Sequence, residues 1–280
     1  MRFSRNVALL CGALAWFSPA ASAGQLYYAF SGGSLDTLTA IDTSTGIAHA
    51  IGTGTGYFQL FSSAFDTDGT FYAVGQTATG APAFISVNLV TGLGTLVGTP
   101  PASLYGLQAA SDGTIYTTEG NDLYKDPPGG SLTDVGPMGI NNFMDFAMDI
   151  YGNLYAVASP YTNPPPTGTS SIWKMNTTTG HGTLVATLNV PCLMGIAFDS
   201  SNNLFATEYC GGPYPLYEIT GLSASNPSGA IATRVNATST TTVPNLHGGD
   251  IDIFTPEPAS LMLCLLGGAL LAARGLRRAG

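Results

Sequence analysis

The feature that most restricts the fold is internal repetition. Five short segments match one another: Leu26-Tyr27-Tyr28-Ala29, Phe71-Tyr72-Ala73-Val74, Ile115-Tyr116-Thr117-Thr118, Leu154-Tyr155-Ala156-Val157 and Leu204-Phe205-Ala206-Thr207. Their starts lie 45, 44, 39 and 50 residues apart. A period of this size means one supersecondary unit that cannot bury its apolar face alone and must stack on its neighbours. Four of the segments follow a turn: Asp68-Gly69-Thr70, Asp112-Gly113-Thr114, Tyr151-Gly152-Asn153 and Ser201-Asn202-Asn203. Gly and Asn tolerate the positive φ that tight hairpins need. Before these turns stand Ser63-Ala64-Phe65-Asp66, Leu107-Gln108-Ala109-Ala110, Phe146-Ala147-Met148-Asp149 and Ile196-Ala197-Phe198-Asp199.

The second half of the unit also recurs. Ala40-Ile41-Asp42-Thr43-Ser44-Thr45-Gly46 matches the segments 86–92 and 174–180, each ending in Thr-Gly, and a short β-like run follows each. Every unit therefore reads as four short strands in about 45 residues. The runs are β-branched or aromatic and broken by Gly, Pro, Asn and Thr, with no amphipathic helix between Gly24 and Thr255. This predicts an all-β fold, a β-propeller of five four-stranded blades. A β-sandwich would leave the period unexplained.

Crowding near a propeller axis favours small residues. The runs before the Asp-Gly turns supply them: Ser62, Ser63, Ala64, Gly106, Ala109, Ala147, Gly195 and Ala197. They are expected to be the innermost strands, with the Leu-Tyr-Ala-Val segments second. On that phase the repeat region opens on a second strand, and an orphan inner strand, 248–254, completes the first blade and closes the ring. The Asp-x-x-Gly-Asn-(Leu/Ile)-Tyr-Val pattern resembles the NHL, YVTN and related bacterial propellers over most of residues 25–254. The third unit departs from it at Lys125-Asp126-Pro127-Pro128-Gly129-Gly130.

Both ends differ from this region. Arg2 and Arg5 precede an apolar run from Val7 to Phe17, and Ala21-Ser22-Ala23 is a small-x-small cleavage site, so 1–23 reads as a secretory signal peptide. The propeller domain takes 24–254. From 255 to 280 the composition changes: Pro256-Glu257-Pro258, an apolar run of about 15 residues from Ala259 to Ala273, then Arg274, Arg277 and Arg278. That run reads as a short apolar helix, below the ~20 residues of a comfortable membrane span. The arginines would stay cytoplasmic and leave the propeller outside. The order of Pro-Glu-Pro, apolar helix and arginine cluster resembles the PEP-CTERM sorting domain. The resemblance implies an exosortase-type processing partner, transient anchoring in the inner membrane, and a final place at the cell surface or outside the cell.

Without the terminal segments, only Lys125, Lys174 and Arg234 stand against 16 of the 17 acids, a net charge of −13. Such a surface repels phosphate backbones, so no nucleic-acid partner is expected. Cys192 and Cys210 flank the hairpin near Ser201 almost symmetrically, and antiparallel pairing would bring them within reach of a disulfide.

Catalytic signatures are missing. His49 and His181 follow equivalent Thr-Gly turns and read as surface residues, and no His-x-x-x-His, Gly-x-Ser-x-Gly or phosphate loop occurs. Asp145 and Asp250 fall on expected inner strands, and Glu119 and Glu208 end equivalent second strands. If these four converged at the channel mouth they would suit a hard cation such as Ca2+; no other cofactor is indicated and no catalytic residue is assigned. Two functions follow as expectations. The first is a non-catalytic surface or matrix protein binding an extracellular protein or polysaccharide. The alternative is a secreted hydrolase, lactonase- or glycosidase-like, with a metal at the channel mouth.

Overall fold

The computed structural model describes residues 25–32, 35–100, 102–160, 168–209, 216–235 and 245–255. The signal-peptide segment 1–23, the tail from Pro256 with its arginines, and Cys210 lie outside the described residues. Blade A holds β1 (Leu26–Ser31), β2 (Thr37–Asp42) and β3 (Ala48–Ile51). Blade B is β4 (Phe58–Phe65), β5 (Phe71–Gln76), β6 (Pro82–Val87) and β7 (Gly94–Gly98). Blade C is β8 (Tyr105–Ala109), β9 (Ile115–Glu119), β10 (Asp122–Asp126) and β11 (Thr133–Pro137). Blade D is β12 (Phe143–Met148), β13 (Leu154–Ala158), β14 (Ser170–Met175) and β15 (Gly182–Leu188). Blade E is β16 (Leu193–Phe198), β17 (Leu204–Glu208), β18 (Leu216–Thr220) and β19 (Ile231–Arg234). The last strand, β20 (Leu246–Ile251), returns to pair antiparallel with β1 as the inner strand of blade A.

The five sheets are antiparallel meanders. Their inner strands touch in a closed cycle, β20 to β4, β8, β12, β16 and back to β20. The architecture is a five-bladed propeller, closed by a strand from the far end of the repeat region as the phase of the repeat requires. The small residues lie where crowding demands them: Ala64, Ala147 and Ala197 are buried on the inner strands. The core is the set of interfaces between neighbouring blades. Between A and B, Phe30, Leu38, Leu60, Phe65, Phe71 and Ile85 are buried together. Phe65 and Phe71 lie 4.6 Å apart and Phe30 stacks on Phe71 at 5.9 Å, geometries in which aromatic pairs add to plain area burial.

The repeated turn chemistry explains why the hairpins recur. Asp149 accepts the main-chain N–H of Tyr151 at 3.0 Å and of Asn153 at 2.8 Å, and its other oxygen takes the Asn153 amide. Asp199 holds Ser201 and Asn203 in the same way. At the outer turns Asp42, Asn88 and Asn176 each accept the N–H groups two and three residues on. Each such turn ends on a Gly with φ of 67°, 72° or 78°, a left-handed conformation natural to Gly.

Candidate binding site at the channel mouth

One end of the axial channel is built by a second, shorter repeat. Gln59-Leu60-Phe61-Ser62, Ser103-Leu104-Tyr105-Gly106, Asn142-Phe143-Met144-Asp145, Cys192-Leu193-Met194-Gly195 and Asn245-Leu246-His247-Gly248 occupy equivalent places at the start of the five inner strands. In four of them the first residue has positive φ without being Gly: Gln59 at 49°, Asn142 at 56°, Cys192 at 56° and Asn245 at 59°. In all five blades the pairing register between inner and second strand slips here, so the inner strand carries a bulge. A bulge re-aims a side chain that regular pleating would send elsewhere. The third residue of each segment, Phe61, Tyr105, Met144, Met194 or His247, thereby lines one cleft of about 940 Å3.

Around this collar, Phe58, Phe143 and Tyr209 add apolar wall, and Asp36, Gln59, Gln76 and Asn245 add polar groups. The rings run as an arc across several blades. Tyr209 lies 5.1 Å from His247, His247 6.2 Å from Phe61, and Phe61 5.5 Å from Tyr105. No Lys or Arg lines the cleft among the described residues; Lys125, Lys174 and Arg234 sit on β10, β14 and β19, away from the axis. A mostly apolar concavity of this size with a few polar groups is the usual form of a small-ligand site.

Below the collar the channel is filled. The next level holds Asp145 with Ser62 and the glycines 106, 195 and 248. Ser62 Oγ donates to Asp145 Oδ1 and accepts from Leu107 N at 2.7 Å, and Ile196 N reaches Asp145 Oδ2 at 3.4 Å. Asp145 thus links blades B, D and E. Burial pushes its carboxyl well above the usual carboxylate range; the Ser62 bond opposes the shift and the charge of Asp250 adds to it. Deeper, Asp250 lies level with Ala64, Gln108, Ala147 and Ala197. It accepts Phe65 N and Ile251 N, each at 2.8 Å. Burial raises Asp250 to about 7 against the lowering effect of those two N–H groups.

The four acids considered as cation ligands are not brought together. Asp145 and Asp250 are buried in the channel. Glu208 instead accepts from the Tyr217 hydroxyl at 2.9 Å, beside Arg234, and Glu119 is exposed at the end of β9. Among the described residues no three His, Cys, Asp or Glu side chains form a group able to hold a metal. The expected convergence fails because a residue closing a second strand can turn outward to the third strand as readily as inward to the axis. Cys192 is disulfide-bonded, and Tyr209 N donates to its carbonyl at 2.9 Å, so the two strands are held together at the mouth. His49 and His181 are exposed.

His247 and the collar are what reasoning from residue types missed. A signal for them exists in the sequence, the recurring pair of a Leu or Phe followed by an aromatic, Met or His just before the axial residue. It becomes legible only once the blades are aligned on their inner strands.

No protein-family model matches the chain, and no curated protein sequence does. Among solved structures, TolB from Acinetobacter baumannii is similar with a TM-score of 0.49 and 11% identity, over 81% of this chain and 66% of that one. A symmetrical protein whose de novo evolutionary emergence is shaped by folding constraints is similar with a TM-score of 0.47 and 18% identity, over 80% and 94% of the two chains. The blade count and ring closure rest on the strand pairing itself.

Proposed function

We propose that this protein is an exported, non-catalytic binding propeller of the cell surface or extracellular matrix, and that its channel mouth takes a neutral polysaccharide. The observation that carries this reading is the collar: five bulges present Phe61, Tyr105, Met144, Met194 and His247 into one cleft. Flat aromatic faces suit the C–H faces of sugar rings. The amides of Gln59, Gln76 and Asn245 supply donors and acceptors for hydroxyls. Among the described residues the cleft has no Lys or Arg to receive a uronate, sulfate or phosphate, and Asp36 lines it, so an uncharged glycan fits better than an anionic one. A concave cleft of about 940 Å3 also suits a few sugar units better than the broad contact a folded protein partner needs.

Export rests on the two ends: the signal-peptide pattern in 1–23 and the Pro256-Glu257-Pro258 tail with Arg274, Arg277 and Arg278, the latter handled by an exosortase-type enzyme. A disulfide-bonded Cys192, with Cys210 as its partner, suits the oxidising conditions outside the cytoplasm.

The test is isothermal titration of the full chain with laminarihexaose, cellohexaose, xylohexaose and mannohexaose, and with alginate as the anionic control. Binding of at least one neutral hexaose, weakened tenfold or more by Phe61→Ala, is the expected result. Preference for alginate, binding indifferent to Phe61, or a purified protein as the sole ligand would each overturn the saccharide reading. For the address, fractionation of cells making the chain with and without 256–280 should show surface material only for the former; equal distribution would refute the role of the tail.

A further inference from the structure

The outer strands of blades B and D share one sequence and differ in what covers them. β7 reads Gly94-Thr95-Leu96-Val97-Gly98, and β15 begins Gly182-Thr183-Leu184-Val185-Ala186. Each pairs with the third strand of its blade and slips register at the same point, Val97 in one and Val185 in the other. In blade D the outer edge is closed by the connection 221–230 of blade E. Ser223 N donates to the Val185 carbonyl at 2.8 Å, Leu222 and Ala230 pack beside it, and Val185 is 5% exposed. The corresponding connection of blade C is the short turn 127–132, and the edge of β7 stays uncovered. Leu96 is 47% exposed and Val97 53%, and the Val97 carbonyl accepts no hydrogen bond from outside its sheet among the described residues.

A bare apolar edge is a template for another strand, and natural sheets guard their edges with charge. The other outer strands left uncovered follow that rule, since β3 carries His49, β11 Asp134 and β19 Arg234, whereas β7 carries no ionisable group. The neutrality reaches well beyond the strand. From Thr70 to Ser111 the chain has no Asp, Glu, Lys, Arg or His, in a domain where Lys125, Lys174 and Arg234 face 16 acids. Leu93 and Val90, exposed in the turn before β7, extend its apolar surface. These facts select the occupant. Two copies of so acidic a body repel wherever their charged surfaces meet, and this edge lets them touch without that penalty. The strand also suits itself. On a two-fold axis through Leu96, antiparallel pairing sets Gly94 against Gly98 of the second copy, Thr95 against Val97, and Leu96 against Leu96.

We propose that two copies of this chain join through β7, edge to edge across a two-fold axis, so that their B blades become one continuous sheet. The second copy supplies there what 221–230 supplies in blade D, a partner for the open edge and cover for Leu96 and Val97. A contact built on one short strand belongs to the small, reversible end of specific interfaces. β7 is the outermost strand of its blade, so both channel mouths stay open, and a ligand with repeated units can be held at two points. The pairing itself is independent of what the mouth binds.

The experiment is sedimentation velocity on the full chain in a neutral detergent, from about 5 to 200 µM protein. The wild type should pass from monomer to dimer across that range. The double variant Leu96→Lys, Val97→Lys should associate at least tenfold more weakly with an unchanged unfolding temperature. Ile231→Lys, equally exposed but on β19, should associate as the wild type does. Equivalent residues facing each other across an antiparallel pair lie within disulfide reach, so Leu96→Cys should give, on oxidation, a peptide linked from position 96 to position 96. A wild type that stays monomeric throughout overturns the proposal. A dimer that the two lysines leave intact, or that Ile231→Lys weakens as much, places the contact elsewhere and overturns it as well. A dimer whose Leu96→Cys form never links to itself refutes the two-fold pairing.

Discussion

The two ends of the channel are built from the same five inner strands yet treat their polar groups in opposite ways. At the end away from the cleft, Asp66, Asp68, Asp112, Asp149, Asp199 and Asp252 each bond a main-chain N–H close by in sequence. Those carboxylates are occupied by the turns they hold, and they make that face acidic and regular. At the mouth the strands begin with bulges, the collar is otherwise aromatic or thioether, and the imidazole of His247 has no hydrogen-bond partner among the described residues. A mostly apolar collar around a concavity marks where a ligand belongs, while a larger number of acids already engaged in turns does not.

Four experiments can break or sharpen this contrast. The largest effect concerns the plug between the ends. The folded-state value of Asp250, about 7, lies above its ordinary carboxylate value, so its share of stability is complete near pH 4 and lost as pH rises toward and through 7. The expected loss is about 4 kcal/mol. His247, lowered to about 4, runs in the opposite sense, costing stability as pH falls from about 6.5 toward 4. Urea unfolding of the wild type against Asp250→Asn cancels the histidine contribution. The advantage of the wild type should shrink from pH 4 to pH 8, and a difference independent of pH would refute the assignment.

Next comes the axis just below the collar, where Gly195→Ala would place a Cβ 2.1 Å from the Gly248 carbonyl oxygen and 2.7 Å from Tyr27 Oη. A cost of about 3 kcal/mol is expected from overpacking at the seam between blades E and A. Gly152→Ala at the opposite face meets nothing within 4 Å and should cost only its positive φ, about 1 kcal/mol. Equal costs in urea unfolding would erase the distinction between crowded axis and open turn.

Asp149→Ala removes three hydrogen bonds of a blade D turn, and calorimetry should record about 2 kcal/mol of lost stability. Its saccharide affinity should match the wild type; a parallel loss of affinity would mean that the two ends are coupled. Smallest is Tyr105→Ala in the collar, with an affinity about tenfold weaker, roughly 1.4 kcal/mol, and little change in unfolding temperature. An unaltered titration curve would remove Tyr105 from the site.

The legibility of the molecule follows the same division. Crowding at the axis is visible in residue identity, so Ala64, Ala147 and Ala197 reveal which strands are innermost. The Asp149–Asn153 and Asp199–Asn203 pairs are visible because local side-chain to backbone bonding needs those residue types at that spacing. The mouth is harder to read. A bulge is a property of pairing between two strands, and nothing local distinguishes Met144 or Met194 from an ordinary core residue. Gln59 and Cys192 adopt positive φ although neither residue type advertises it. The position of Glu208 depended on Tyr217, a residue of the next strand, and its place at the end of β17 could not reveal that contact.

Closure by β20 has a consequence for biogenesis. His247 and Asp250 both belong to that strand, so the cleft at the mouth and the latch of the ring are completed by the same six residues. During synthesis the first blade must wait, one edge unpaired, until four others have emerged. A half-made molecule therefore has no complete cleft, and on the function proposed above, binding would report that the wheel has closed.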